Sequence, residues 1–220
     1  MEEIAPTKTL VEKAYGILVS AICSGELLPG QRLNQDELAS KLNVSRQPIN
    51  QAIVLLKNNG LALSTGKRSV IVAPIDLAYL EQISEFRIIV ELFAAEKLME
   101  LHSLEFIEQE FSEILVQGDK ALANDDIIAL ANYDMNFHTK IYMLSENVAA
   151  QSAMTANWHH IQRAMHTILL DKQRAIDSHK EHIKLVKALA NKDTKTIRQM
   201  IQTHIKTGIE SMHNYLLKPS

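Results

Sequence analysis

Leu33-Asn-Gln-Asp-Glu-Leu-Ala-Ser-Lys-Leu-Asn-Val-Ser-Arg-Gln-Pro-Ile-Asn-Gln-Ala-Ile-Val-Leu-Leu56 spells two short helices joined by a tight corner. Asn34 can accept the orphan N–H groups of a first helical turn, with Glu37 reaching back to it. Leu38, Ala39 and Leu42 give that helix an inward face, and Asn43-Val44 makes the corner. Ser45 is placed to cap the second helix, where Pro48 falls in the first turn and its missing N–H costs little. Ile49, Ala52, Ile53 and Leu56 recur at helical spacing. The opposite face carries Arg46, Gln47, Asn50 and Lys57, donors long enough to read base edges or grip phosphates. The pattern is a helix-turn-helix, and it predicts contact with double-stranded operator DNA.

The flanking sequence extends the motif. Thr9-x-x-Glu12 opens a helix with a stripe of Leu10, Ala14, Ile17, Leu18 and Ala21, and Gly25-Glu-Leu-Leu-Pro-Gly30 turns the chain into the motif. Beyond it, Leu61-Ala-Leu-Ser64 and Ser69-Val-Ile-Val72 are β-prone runs around Thr65-Gly-Lys-Arg68, which predicts a wing with Lys67 and Arg68 as a basic tip. Residues 8–73 resemble the DNA-binding domain of the GntR superfamily of bacterial transcription regulators. The likeness rests on Pro29-Gly30-x-x-Leu33, Glu37-Leu38-Ala39-x-x-Leu42-x-Val44-Ser45-Arg46-x-Pro48 and Asn59-Gly60-Leu61. Asn50 stands where that family usually has arginine, and Ser69 where it usually has a glycine.

Composition sets bounds on the rest. With 220 residues and 46% hydrophobic content the chain can bury a sizeable core in one or two domains. No apolar run approaches the roughly 20 residues of a membrane span, and no signal peptide opens the chain, so a cytoplasmic protein without membrane contact is expected. The single cysteine, Cys23, lies near an inward stripe and reads as a buried thiol. Residues 1–74 hold eight Lys/Arg against six Asp/Glu, whereas 75–220 hold fifteen against twenty, and all nine histidines lie beyond residue 100. Only the first segment suits a polyanion. Pro74 ends the wing, so the expected domains are 1–74, a winged helix-turn-helix for DNA, and 75–220, an all-α helical bundle. The predicted fold class is mostly α.

From Leu77 onward glycine and proline almost vanish, and the periodicity predicts helices near 77–101, 104–124, 126–145, 147–170, 178–191 and 193–215. In the third of these Asp134 and His138 fall on the stripe of Ile127, Leu130, Phe137 and Ile141, one turn apart. His182 leads Leu185, Val186 and Leu189, and His204 follows Ile197, Met200 and Ile201. His182 and His204 are equidistant from Asp193, which caps the helix after the Asn191-Lys192 break, so they face each other across a helical hairpin. Buried imidazoles and carboxylates are costly unless paired or metal-bound. Three histidines and one aspartate make a set for a divalent transition metal. His159, His160 and His166 near Trp158 read instead as cavity or surface residues, and the Asn124-Asp125-Asp126 run as a helix cap.

Residues 76–215 resemble the all-helical, metal-carrying FCD effector domain of the FadR subfamily. The matching runs are Arg87-x-x-x-Glu91 with Ala94-Ala95, Asp134-x-x-Phe137-His138, Glu181-His182 and His204. The resemblance implies Asp134, His138, His182 and His204 as ligands for zinc, with nickel or manganese as alternatives. It also implies a small organic carboxylate completing the coordination, Arg87 as its clamp, and a homodimer. No phosphate loop, nucleophile elbow or cysteine pair accompanies these residues. The expected function is a ligand-responsive transcription regulator; the alternatives are a regulator that senses the metal itself and a metal-dependent enzyme fused to a DNA-binding domain.

Overall fold

The computed structural model describes residues 9–66, 69–155 and 157–217 and divides into two compact units, through Ile75 and from Asp76 onward. The boundary falls one residue beyond the one read from Pro74. The basic wing tip read from Lys67 and Arg68 lies outside the described residues.

The first unit contains α1 (Leu10–Cys23), α2 (Gln35–Lys41), α3 (Arg46–Asn58) and an antiparallel hairpin of β1 (Ala62–Thr65) and β2 (Ser69–Val72). Thr9 Oγ1 accepts from the Glu12 N–H while the Glu12 carboxylate accepts from the Thr9 N–H, which closes a capping box on α1. The buried face of α1 runs through Ala14, Leu18 and Ile22, at i, i+4 and i+8, and meets α3. Leu10 and Ile17, assigned to the stripe from sequence, are 58% and 51% exposed. Successive residues point about 100° apart, so Ile17 is turned away from the face that Leu18 buries. Cys23 is buried.

Asn34 caps α2 by accepting from the Asp36 N–H, and its amide donates to Glu37, so Glu37 reaches the cap's side chain and not its backbone. Asn43 takes the corner at φ 51°. Ser45 caps α3 in extended conformation without a side-chain bond. Pro48 explains this: it sits third in α3, and a capping hydroxyl's usual partner there is an N–H that proline lacks. Ile49, Ala52, Ile53 and Leu56 are buried with Leu33, Leu61 and Val72, which packs α3, the segment entering α2 and the hairpin into one core. The Leu33 N–H donates to the Val70 carbonyl at 2.8 Å and Arg32 bridges Ile71, so the chain entering α2 pairs with the hairpin edge.

The second unit is a bundle of α4 (Leu77–Leu101), α5 (Leu104–Ala123), α6 (Ile127–Leu144), α7 (Val148–Thr155), α8 (Trp158–Ile168), α9 (Lys172–Ala190) and α10 (Thr194–Leu216). Side-chain caps start most of them: Asp76, Ser103, Asp126, Asp171 and Asp193 each accept an N–H three residues on. The single helix expected over 147–170 is two helices. The Asn157 amide donates to the Ala153 carbonyl, and a side chain competing for helical carbonyls favours such a break. The helix expected from 178 begins at Lys172, because Asp171 caps it and Ala175, Ser178 and His179 extend the face that buries His182. α5 packs on α6 and α9, and α10 on α4 and α9. The α5 contact is close at Gly118, where a Cβ would stand 2.6 Å from His179 Nδ1 and 2.7 Å from Tyr133 Cζ. Among the described residues no helix is long and apolar enough to cross a membrane.

Candidate metal centre and DNA-facing helix

On α3 the side chains of Arg46, Gln47 and Asn50 are exposed together near the N-terminal end, and Lys57 is exposed in the last turn, about 16 Å further along the axis at 1.5 Å per residue. Arg46 is ion-paired with Asp36 of α2, with both side chains largely in solvent.

Inside the second unit, Asp134 and His138 of α6, His182 of α9 and His204 of α10 are all buried, and one ligand atom from each lies within 4.8 Å of the others. His138 Nε2 stands 3.2 Å from His204 Nε2, His182 Nε2 stands 3.3 Å from the same atom, and Asp134 Oδ1 is 3.5 Å from His182 Nε2. The four residues singled out from the sequence are thus brought together. His159, His160 and His166 are half-buried and outside the cluster.

The outward ring nitrogens decide the chemistry. His138 Nδ1 meets Glu91 Oε1 at 2.6 Å, and His204 Nδ1 meets Glu181 Oε2 at 2.6 Å. A carboxylate only accepts, so both Nδ1 atoms carry the hydrogen, and in the neutral ring Nε2 keeps its lone pair. His182 is settled by a longer chain. His179 Nε2 donates to Asp119 Oδ1, leaving His179 Nδ1 to accept from the Tyr133 hydroxyl, whose oxygen then accepts from His182 Nδ1–H. These tautomers follow from the network. The consequence is three imidazole lone pairs and a carboxylate oxygen facing one another, with Asp134 Oδ1 buried and lacking any hydrogen-bond partner.

Electrostatics agree with neutral rings at His182 and His138. Burial pushes His182 well below the ordinary histidine value, and the neighbouring His204 and His138 add to it. Burial and then the Arg87 charge lower His138, against the pull of Glu91. Burial works to raise the Glu91 carboxyl, but His138 and Arg87 outweigh it and hold it well below the carboxylate range. Glu181, likewise raised by burial, is pushed down to about 2 by His204 and Arg174. Neutral imidazoles held by ionised carboxylates are the state in which histidine ligates a metal. The donor set, three nitrogens and one oxygen, fits a divalent transition ion.

Arg87 is buried on α4. Its Nε donates to Glu91 Oε2 at 3.1 Å, its guanidinium carbon lies 5.2 Å from the Trp158 ring centroid, and its Nη2 has no hydrogen-bond partner. Tyr142 also donates to Glu91, at 2.9 Å. Arg87 and His204 both line a narrow cleft between α4, α8 and α10, about 30 Å³ in size. Sequence reasoning missed the supporting residues Glu91, Tyr133, Glu181 and Arg174. Glu91 and Glu181 stood in the motifs already quoted, but only the fold shows that each meets a histidine on another helix.

Residues 10–72 match the family of bacterial regulatory proteins, gntR family, and residues 82–207 match the FCD domain. The HTH-type transcriptional regulator YdhC of Bacillus subtilis is 22% identical over 209 residues, covering 92% of this chain and 90% of that one. The HTH-type transcriptional repressor RspR of Escherichia coli is 23% identical over 217 residues, covering 96% and 92%. The solved structure of McbR/YncC from E. coli superposes with a TM-score of 0.81 at 20% identity, over 94% of this chain and 99% of that one. The chain belongs to the GntR family of transcription regulators, with a DNA-binding helix-turn-helix followed by a helical FCD domain.

Proposed function

We propose that this regulator is a homodimer of the FadR subfamily that holds one divalent metal per chain, zinc first, on Asp134, His138, His182 and His204. A small carboxylate bound beside the metal, with Arg87 as its clamp, alters operator affinity. The observation that carries this reading is the gathering of three acceptor nitrogens and the Asp134 Oδ1, which lacks a hydrogen-bond partner, within 4.8 Å of one another. Lone pairs packed in this way repel unless a cation lies among them. These four residues would hold the ion, which would supply a positive centre that attracts a carboxylate oxygen as a further ligand. Arg87 supports the acid over a sensor of the metal alone, because its buried Nη2 is a charged donor left over after Glu91 is served. Exposed Phe86, Ile89 and Phe93, at i, i+3 and i+7 on α4, support a second copy packing there, with Ile89 68% exposed. Arg46, Gln47 and Asn50 enter the major groove, with Lys57, Lys67 and Arg68 on phosphates, and chromosomal operators put the protein in the cytoplasm.

Protein purified without chelator is expected to contain about one divalent transition metal per chain, and a His182→Ala/His204→Ala variant to lose it, since half of the donor set is gone. Full occupancy in that variant, by elemental analysis, excludes the site. Arg87→Lys is expected to retain the metal and lose acid binding, because an ammonium lacks the planar fork. Shifts in melting temperature across a carboxylate panel report this directly.

A further inference from the structure

The cleft contains a second buried guanidinium to which neither the sequence nor the family match assigns a role. Arg174 of α9 donates from Nη1 and Nη2 to the two oxygens of Glu181, at 3.0 and 3.2 Å. Its side chain is 10% exposed, and its Nε is buried without a hydrogen-bond partner. Arg174, Arg87 and His204 all line the same cleft. Arg87 Nη2 and Arg174 Nε are therefore both unserved by the protein, and both residues line this cleft, Arg174 also bordering a second one with Thr167, Asp171 and Tyr215. A buried donor without an acceptor is costly, and a ligand oxygen relieves it.

Charge and lining then restrict what such a ligand is. Around the cleft and the four-residue cluster, Arg87 and Arg174 face Glu91, Glu181 and Asp134, which leaves one negative charge when the imidazoles are neutral. A divalent ion on the cluster turns this into one positive charge, which a single carboxylate neutralises. Apart from the Ser84 hydroxyl the remaining wall is apolar, including Leu80, Ile161, Met165, Ile168 and Met212. It has no further charge for a second anion and few groups for a polyol. At about 30 Å³ the cleft must widen to take anything larger than a water. Methionine turns about three side-chain bonds, and a Cβ built at Gly208, on the same wall, meets nothing within 4 Å.

We infer that Arg174 is a specificity-determining residue of the effector cleft, which takes a monocarboxylate with an aliphatic body and a neutral acceptor oxygen, keto or hydroxyl, that Arg174 Nε reads. This rests on the carboxylate reading of the site proposed above. Arg174 also shares Glu181 with His204, so the residue that reads the ligand is one hydrogen-bonded group away from a member of the cluster.

Calorimetric titration of the full-length, zinc-loaded protein tests this with three matched acids at each chain length from butanoate to octanoate: the plain acid, its oxo derivative and the corresponding diacid, for example hexanoate, 5-oxohexanoate and adipate. At the best length the oxo acid is expected to bind about tenfold tighter than the plain acid, the value of one hydrogen bond to a charged donor, and the diacid more weakly than the oxo acid. The ratio of oxo to plain acid is expected to fall to about one in Arg174→Met and in Arg174→Lys, with zinc stoichiometry and melting curves reporting that each variant is folded. A diacid that binds tightest overturns the single-charge assignment. A ratio of about one in the native protein, or one that survives both variants, overturns the role of Arg174 while plain acids still bind. If no acid of any length binds, the carboxylate reading fails and this inference with it.

Discussion

Arg46 opens α3 where a recognition helix meets base edges, yet it is paired with Asp36 in solvent. An exposed pair of this kind contributes about 0–1 kcal/mol, so DNA can outcompete it. Arg46→Ala is expected to weaken specific operator binding by about 1–3 kcal/mol, and Asp36→Ala to strengthen it slightly by freeing the guanidinium and removing a negative charge beside the DNA. Fluorescence anisotropy at fixed salt checks both; an unchanged affinity for the Arg46 variant removes it from the interface. The buried histidines give a second prediction. His138 and His182 have depressed values in the folded protein, mainly through burial, so below about pH 6.5 the unfolded chain takes up protons that the native fold excludes. Stability of the metal-free protein is therefore present above about pH 6.5 and lost as pH falls through that value. Glu181, held at about 2, adds a further loss below the ordinary carboxylate range. Melting temperatures in chelator from pH 8 to 5 are expected to fall; a flat profile contradicts the neutral imidazole assignment.

Between elements, two helical glycines make opposite demands. Gly118 lets α5 approach α9 and Tyr133 of α6, and an added methyl has only ring atoms to push against. Gly118→Ala is expected to destabilise by about 1–3 kcal/mol through overpacking, and to shift Tyr133, which holds His182 Nδ1. Gly208→Ala meets open space in mid-helix and is expected to stabilise by up to about 1 kcal/mol, since alanine costs less chain entropy in a helix. Chemical denaturation separates the two; equal effects mean that the close contact at Gly118 does not govern the α5 packing. Element boundaries were legible where a side-chain cap marks them, as at Asp76, Asp126 and Asp193. They were obscured between α7 and α8, where the apolar pattern runs on and a local amide bond decides the break.

For the whole molecule, the proposed two-fold dimer would read half-sites about 34 Å apart or a multiple of this, and the proposed effector would act by favouring or disfavouring that spacing. An acid shifts operator affinity only by its differential binding to the two arrangements, typically about 1–3 kcal/mol, and operator must shift acid affinity by the same factor. Titrating the acid with and without operator is expected to give affinities that differ by about fivefold or more. Equal affinities would mean that the cleft does not control the DNA-binding unit.

The sequence by itself determined the order of units, the helix-turn-helix and the four residues that gather in the bundle. These depend on local rules: a cap, a proline in the first turn, apolar spacing at 3.6 residues, and the symmetry of two histidines about a capped turn. That same local reading misplaced Leu10 and Ile17, because which side of an amphipathic helix is buried depends on the helix it meets. Only the tertiary structure decided which nitrogen of each histidine faces inward. Glu91, Tyr133 and Glu181 come from α4, α6 and α9 to hold the outward nitrogens of His138, His182 and His204. Hydrogen bonds between helices 20 or more residues apart in the chain leave no periodic trace in the sequence, and the same holds for Arg174, whose unserved Nε acquires meaning only beside Arg87 in a shared cleft.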